Sequence, residues 1–255
     1  MKSNTYKIIL ILFSLQFIGC DMDDCDGPDG WGEHCSNVTP NCNGSVCNQS
    51  DINIIYTMIE LSKDINDGMD CDSSGVIEPK EFGNQVWVGD RLHELRFSGD
   101  YNDEIEPQCK DVYVYHVDQL VLPDNFGELD SLEKLTIGGG TNFMSIPVSF
   151  GELNNLREFY VYSNPIISLT DSIVNLITLN TLTIRGTGLT SIPGSIGRLN
   201  NLNSLILDNN QLTSIPESIC NLPTNCYISV NNNKICDEKY HYDCIDNWGE
   251  QDCGD

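Results

Sequence analysis

Positive charge and histidine are scarce in this chain of 255 residues, which has 13 Lys and Arg against 38 Asp and Glu, and only 4 His. The formal net charge of −25 argues against nucleic-acid binding, because phosphate backbones are bound through Lys and Arg. Acidity of this degree is typical of a well-solvated surface and is also compatible with cation binding.

Long apolar runs and catalytic motifs are missing as well. Beyond the first twenty residues, no run of about 18 apolar residues predicts a membrane-spanning helix. No phosphate-binding loop, no Gly-x-Ser-x-Gly and no His-Glu-x-x-His occurs, and no carboxylate pair stands out from the acidic background. We therefore expect a protein that is not an enzyme and that needs neither a cofactor nor a resident metal.

Cysteine, in contrast, is abundant, and 12 Cys imply an oxidising compartment. Spacing alone does not give the disulfide connectivity. If Cys20 is set aside, an odd number remains, which leaves one thiol free or intermolecular. The disulfide candidates are Cys25, Cys35, Cys42, Cys47, Cys71, Cys109, Cys220, Cys226, Cys236, Cys244 and Cys253. Cys236, His241 and Cys244 could also be drawn as zinc ligands, but an oxidising compartment favours disulfides.

The N-terminus has the pattern of an export signal. Lys2 and Lys7 precede an apolar run over residues 8–18, which is too short to span a membrane.

The end of this run, Phe17-Ile18-Gly19-Cys20, resembles a bacterial lipobox. The resemblance implies that residues 1–19 are a lipoprotein signal peptide and that Cys20 is lipidated, which would anchor the protein to a membrane. The acidic residues over 21–26 resemble the surface-export tag of lipoproteins in Bacteroidetes-like lineages. This implies an outer-membrane lipoprotein exposed at the cell surface; the alternative is secretion after ordinary signal-peptidase cleavage.

Two segments separate this signal from the regular part of the chain. Residues 20–49 are rich in Asp, Gly and Cys, and we expect an acidic tether with small disulfide loops that could bind calcium. Residues 50–91 begin with an amphipathic helix, for which Ser50 is the predicted N-cap and residues 67–68 the predicted end.

Residues 92–235 repeat one apolar pattern with a period of 23 or 24 residues. The first apolar position of the pattern is occupied in turn by Cys109, Leu132, Leu156, Leu179, Leu202 and Asn225. The pattern resembles the leucine-rich repeat of bacterial extracellular proteins, and the resemblance implies an α/β solenoid, right-handed and curved, with a parallel β-sheet on its concave face. By the same resemblance, residues 50–91 form an N-terminal helical cap and residues 236–255 a disulfide-rich C-terminal cap.

The repeat pattern also assigns a place to each residue of a coil. Leu205 and Leu207 are expected in the core, since alternate strand residues share one face. Asn210 is expected to satisfy backbone groups of the adjacent coil with its amide. One column of outward strand positions should contain Arg96, Tyr113, Thr136, Tyr160, Thr183, Ile206 and Ser229 in this order.

Function is expected on this outward face, where exposed Tyr offers a large contact area at a low entropy cost. The predicted protein-binding residues are Tyr113, Tyr115, Thr136, Tyr160, Tyr162, Arg185 and Asp208. We expect a cell-surface lipoprotein that binds a protein partner. The alternatives are an adhesion or surface-layer spacer whose acidic tether binds cations, and a glycan-binding module whose Tyr side chains stack on sugar rings.

Overall fold

The computed structural model describes residues 41–42, 45–65, 84–97 and 117–254, all within the compact unit Pro40–Asp255. The predictions of a signal peptide over residues 1–19 and of lipidation at Cys20 lie outside the described residues. So do the predictions that concern Cys25, Cys35, Cys71, Cys109, Tyr113 and Tyr115.

A seven-stranded sheet is the main feature of the fold, with the strand order β11-β10-β9-β8-β7-β5-β4. Its strands are β4 (Asn84–Val88), β5 (Arg91–Phe97), β7 (Lys134–Ile137), β8 (Glu158–Tyr162), β9 (Thr181–Arg185), β10 (Ser204–Ile206) and β11 (Tyr227–Ser229). All neighbours from β5 to β11 are parallel, whereas β4 is antiparallel to β5.

The strands stack in the register that the repeat period requires. One line of paired residues consists of Leu95, Leu135, Phe159, Leu182, Leu205 and Ile228. These side chains are buried, and so is Leu207, as predicted. Since each coil has a single apolar edge, it becomes stable only by packing against the coils beside it. The predicted leucine-rich repeat solenoid, with an open parallel sheet, is confirmed.

Short 3-10 helices form the side of each coil away from the sheet. They lie at Phe126–Glu128, Val148–Glu152, Asp171–Asn175, Ile196–Arg198 and Glu217–Asn221, and one more, Glu238–Tyr240, lies in the C-terminal cap. Each of the first five directs a buried Phe or Ile into the core, so the core is closed from both sides.

Three buried asparagines join neighbouring coils, as predicted for Asn210. The Asn210 amide nitrogen donates to the carbonyl oxygens of Leu207 (2.9 Å) and, in the preceding coil, of Ile184 (2.7 Å), while its amide oxygen accepts from the Thr187 backbone N–H (3.1 Å). Asn164 and Asn233 make the same kind of bonds to their own preceding coils.

The N-terminal helix begins earlier and ends sooner than predicted. Helix α1 spans Gln49–Leu61, and Asn48 rather than Ser50 is its N-cap, since the Asn48 side chain accepts from the Ser50 backbone N–H at 2.9 Å. The helix stops before β3 (Lys63–Ile65), which pairs antiparallel with β6 (Val117–Gln119). A small hairpin, β1 (Asn41–Cys42) and β2 (Ser45–Val46), precedes the helix.

Asp51, which is fully buried in α1, ties the cap to the sheet. Its carboxylate accepts from the Arg91 guanidinium at 3.0 Å through each oxygen and from the Leu92 backbone N–H at 2.9 Å. Arg91 also pairs with Asp130 in the first regular coil. A buried carboxylate with three such donors is fully satisfied, so the helix has one fixed position on the sheet.

The predicted order of strands is wrong at one place. β5 hydrogen-bonds directly to β7, with Arg96 paired to Thr136, whereas the predicted column placed Tyr113 between these two residues. The next described residues, from Val117, form β6.

The C-terminal cap is held by two disulfides, Cys220–Cys244 and Cys236–Cys253. These bonds exclude Cys236 and Cys244 as zinc ligands, in agreement with the preference for disulfides. Cys226, one of the disulfide candidates, is instead free and buried among core residues. Cys47 is disulfide-bonded. Disulfides of this kind indicate an oxidising compartment.

Among the described residues, no helix is both long and apolar enough to cross a membrane.

Three glycines allow the 3-10 helices of successive coils to approach closely. A Cβ on Gly127, Gly151 or Gly197 would lie 2.0, 2.4 or 2.0 Å from the carbonyl oxygen of a Ser in the next coil. These are backbone atoms, which cannot move aside as a flexible side chain can.

We predict that Gly197→Ala lowers the free energy of unfolding by about 1–3 kcal/mol, because the new methyl group collides with the Ser218 carbonyl oxygen. Gly194→Ala, three residues earlier, is the matched control, because a Cβ there meets nothing within 4 Å. That control should change the free energy by less than about 1 kcal/mol. Urea unfolding followed by circular dichroism measures both, and equal midpoints for the two variants would contradict the packing role.

Candidate functional site

The exposed sheet face consists of the strand residues that point away from the core. One row contains Glu94, Lys134, Glu158, Thr181, Ser204 and Tyr227, and the next contains Arg96, Thr136, Tyr160, Thr183, Ile206 and Ser229. Both rows follow from strand alternation, since their neighbours along each strand are buried in the core.

Two tyrosines on β8 form the aromatic part of this face. The rings of Tyr160 and Tyr162 stack with centroids 6.0 Å apart and an interplanar angle of 17°. The Tyr160 hydroxyl donates to the Glu158 carboxylate at 3.1 Å, and Glu158 also pairs with Lys134 at 3.1 Å. The Lys134 ammonium lies 5.7 Å from the Tyr160 ring centroid. The aromatic pair is therefore held in place by its neighbours before any partner binds.

Both tyrosines hold their phenolic protons more tightly than usual. Burial, followed by the charge of Glu158, raises the pKa of Tyr160 to about 12. Burial also raises the pKa of Tyr162, although the charges of Arg96 and Arg185 act to lower it. Both hydroxyls are therefore neutral hydrogen-bonding groups at physiological pH.

Beside the tyrosines, the outward residues on and just after β7 are small. Thr136 is only 7% exposed and lies in register between Arg96 and Tyr160. Gly138 follows β7 and donates its backbone N–H to the Phe97 carbonyl oxygen. We call the two small residues Thr136 and Gly138 the β7 trough; in register, Arg96 lies on one side of Thr136 and Tyr160 on the other.

Arg185 lies on β9, paired in register with Tyr162. It is exposed and makes no ion pair with another residue in the described part of the chain. Asp208, one coil further, accepts from the Ser229 hydroxyl at 2.6 Å and from the Asn231 backbone N–H at 3.0 Å. Asp208 therefore joins its coil to the next one.

The structure thus brings together four of the predicted site residues, Thr136, Tyr160, Tyr162 and Arg185, and it places Asp208 at the neighbouring coil. Sequence reasoning missed Arg96, Lys134 and Glu158 as members of the site. The sequence could have indicated all three, because each is a charged residue at an outward position of a strand in this sheet. Within the described ranges, no three His, Cys, Asp or Glu residues are grouped so that they could hold a metal ion.

No protein-family model matches the chain, and no curated protein matches it. Several solved structures are similar to it. A plant ice-binding protein is similar with a TM-score of 0.56 and 21% identity, over 74% of this chain and 57% of that one. A leucine-rich repeat protein of Leptospira interrogans has a TM-score of 0.42 and 25% identity, over 56% of this chain and 32% of that one. The PEPR1–AtPEP1 structure has a TM-score of 0.40 and 18% identity, over 73% of this chain and 32% of that one.

At 21% identity, the likeness to the plant ice-binding protein concerns the fold alone, and it agrees with the solenoid described above. The chain spans 57% of that protein's length and 32% of the length of each of the other two.

We predict that the free energy of unfolding falls as the pH rises from about 10 towards 12, in part through Tyr160, whose pKa is raised to about 12. In the unfolded chain a tyrosine loses its proton near pH 10. The folded state binds this proton more tightly, so its contribution is complete below pH 10 and is lost as the pH passes about 12. Tyr160→Phe should therefore flatten the decline measured by urea unfolding at several pH values. Identical declines in both proteins, after normalisation to pH 7, would contradict the raised pKa.

Proposed function

We propose that the exposed sheet face binds a protein partner, with Tyr160 and Tyr162 at the centre of the contact. The observation that supports this most directly is the stacked tyrosine pair beside the β7 trough. Aromatic side chains beside small residues are typical of binding hot spots. A partner that packs against them removes a large area of side-chain surface from contact with water.

The surroundings of the pair favour binding in a second way. Both tyrosines are on β8, which is hydrogen-bonded to β7 on one side and to β9 on the other. Glu158 and Lys134 also hold the Tyr160 side chain in one position. Little side-chain entropy then remains to be lost on association, which is the main advantage of a preorganised surface.

The proposal is tested with Tyr160→Ala plus Tyr162→Ala in the full chain, by recovery and affinity of the partner in a pull-down. Removing two hot-spot side chains should weaken binding by about 30-fold or more. Tyr227→Ala is the matched control, since Tyr227 is 46% exposed on the same sheet face but lies on the last strand. Unchanged partner recovery by the double variant would exclude this face as the contact. Recovery of a glycan instead of a protein would favour the glycan-binding alternative.

We further propose that this binding module is displayed at the cell surface through a lipid on Cys20. Support comes from the lipobox-like sequence at residues 17–20 and from the disulfides Cys220–Cys244 and Cys236–Cys253, which are typical of exported proteins. The proposed role is binding, without catalysis.

Cys20→Ser should release the protein from membranes, because the acyl chains that hold it could no longer be attached. Fractionation of cells followed by detection of the chain measures this release. A matched control is Cys226→Ser, which alters a buried free cysteine and should leave the distribution between membrane and medium unchanged. If the Cys20→Ser variant still sediments with membranes, the lipid anchor is wrong.

A further inference from the structure

The outward residue Ile206 gives the exposed sheet face a second apolar position besides the tyrosine pair. Ile206 lies in the same row as Tyr160, and Thr183 stands between them in register. Neighbouring strands of a sheet are about 4.8 Å apart, so two strand spacings, or about 9.6 Å, separate the two positions. Thr183 is only 4% exposed, whereas Tyr160 and Ile206 are both partly exposed. A partner that lies along this row therefore meets the tyrosine ring first and the aliphatic side chain two strands further on.

The acidic groups beside this row are already engaged by donors of the protein itself. Glu158 accepts from the Tyr160 hydroxyl and pairs with Lys134. Asp208 accepts from the Ser229 hydroxyl at 2.6 Å. The N–H groups of a partner would have to compete with these internal donors for the two carboxylates.

The Tyr162 hydroxyl and the Arg185 guanidinium, by contrast, remain as donors for a partner. The two residues are paired in register on neighbouring strands. The Tyr162 hydroxyl makes no hydrogen bond with another described residue, and Arg185 is exposed without an ion pair in the described part of the chain. Burial raises the pKa of Tyr162, so its hydroxyl keeps the proton that it donates. This side of the face needs acceptors from its partner.

The charges of the face balance one another, although the chain as a whole has a net charge of −25. The charged outward residues are three acidic ones, Glu94, Glu158 and Asp208, and three basic ones, Arg96, Lys134 and Arg185. A charge on the partner would lie near residues of both signs, so attraction to one is partly offset by repulsion from another. The cost of removing that charge from water would remain. An uncharged partner segment avoids this cost.

We propose that the partner segment is an uncharged, proline-rich peptide in the polyproline II conformation, which runs along the row from Tyr160 to Ile206. This inference rests on the proposed function and adds the chemistry and conformation of the partner. A polyproline II helix has three residues per turn and rises about 3.1 Å per residue, so residues i and i+3 share one face about 9.3 Å apart. That distance agrees with the two strand spacings between Tyr160 and Ile206. In a β-strand, the residues on one face are about 6.7 Å apart instead.

The hydrogen-bonding groups of such a segment also suit the face. A polyproline II helix makes no internal hydrogen bonds, so its carbonyl oxygens are available as acceptors, and proline has no N–H that needs a partner. An α-helix uses most of its carbonyl oxygens internally. Tyr162 and Arg185 can therefore donate to the carbonyl oxygens of the segment while its proline rings pack on Tyr160 and Ile206. Proline-rich segments dock on aromatic side chains at a low entropy cost, because their conformation exists before binding.

The test begins with selection of a random displayed peptide library on the full chain. Selected peptides are synthesised with a fluorescent label, and each is also made with Ala at one position at a time. Affinities are measured by anisotropy on the wild type, Ile206→Ala, Ile177→Ala and the double variant Tyr160→Ala plus Tyr162→Ala. Ile177→Ala is the matched control, because Ile177 is 59% exposed but follows the 3-10 helix Asp171–Asn175, away from the sheet.

We expect enriched peptides to be rich in Pro, to lack charged residues and to have apolar residues three positions apart. They should bind Ile206→Ala about 5-fold or more weakly, because an apolar contact is lost, and Ile177→Ala like the wild type. Ala at the peptide position that contacts Ile206 should weaken binding to the wild type but have little further effect on Ile206→Ala, since both changes remove the same contact. Raising NaCl from about 0.1 M to about 0.5 M should change the affinity by less than about 2-fold.

Two kinds of result would overturn the proposal, and they are distinguishable. Enriched peptides that lack proline, that share charged residues, or that bind Ile206→Ala as tightly as the wild type would contradict the polyproline II segment. If those peptides still bind the double tyrosine variant more weakly, the protein-binding function stands. If no peptide is enriched, or if the enriched peptides bind the double tyrosine variant like the wild type, both this inference and the proposed function of the face are wrong.

Discussion

The buried turn at the end of each strand is the point on which the stacking of the coils depends. At this turn the backbone leaves the sheet inside the protein, where its N–H and C=O groups have no access to water. Asn164, Asn210 and Asn233 satisfy these groups, and each also bonds to the coil before it. An amide is suited to this position because it donates and accepts at the same time. The same side chain therefore closes one coil and attaches it to the previous one.

The exposed sheet face is a consequence of this stacking. Since the turns fix the register of every strand, outward side chains form straight rows across the sheet. One row places Arg96 beside Thr136 and Tyr160, although residues 96 and 160 are far apart in the chain. Each strand contributes only two or three outward residues. An extended patch therefore forms only because the register places outward residues of several strands side by side.

Much of this could be predicted from the sequence, because the 23-residue period determines both burial and register. The core positions of Leu205 and Leu207 and the role of Asn210 follow directly from it. The predicted column of outward residues was wrong next to a degenerate repeat: the repeat pattern has Cys109 in place of the strand Leu, and β5 pairs directly with β7. At Ser50 a suitable capping residue was available, but Asn48 two residues earlier is the cap. The engagement of Glu158 and Asp208 by their neighbours could not be predicted, because these contacts depend on side-chain positions across coils.

The last strand, β11, would end the sheet with a row of unsatisfied peptide groups if the chain stopped there. Residues of the C-terminal cap cover it instead: the Val230 N–H donates to the Asn247 carbonyl oxygen, and the Asn247 N–H donates to the Ile228 carbonyl oxygen. Exposed sheet edges recruit strands of other molecules, which leads to aggregation. The two disulfides hold the segment that covers this edge, so we expect the cover to depend on redox conditions. In a reducing environment the covering segment would loosen, and the protein would become prone to join end to end with copies of itself.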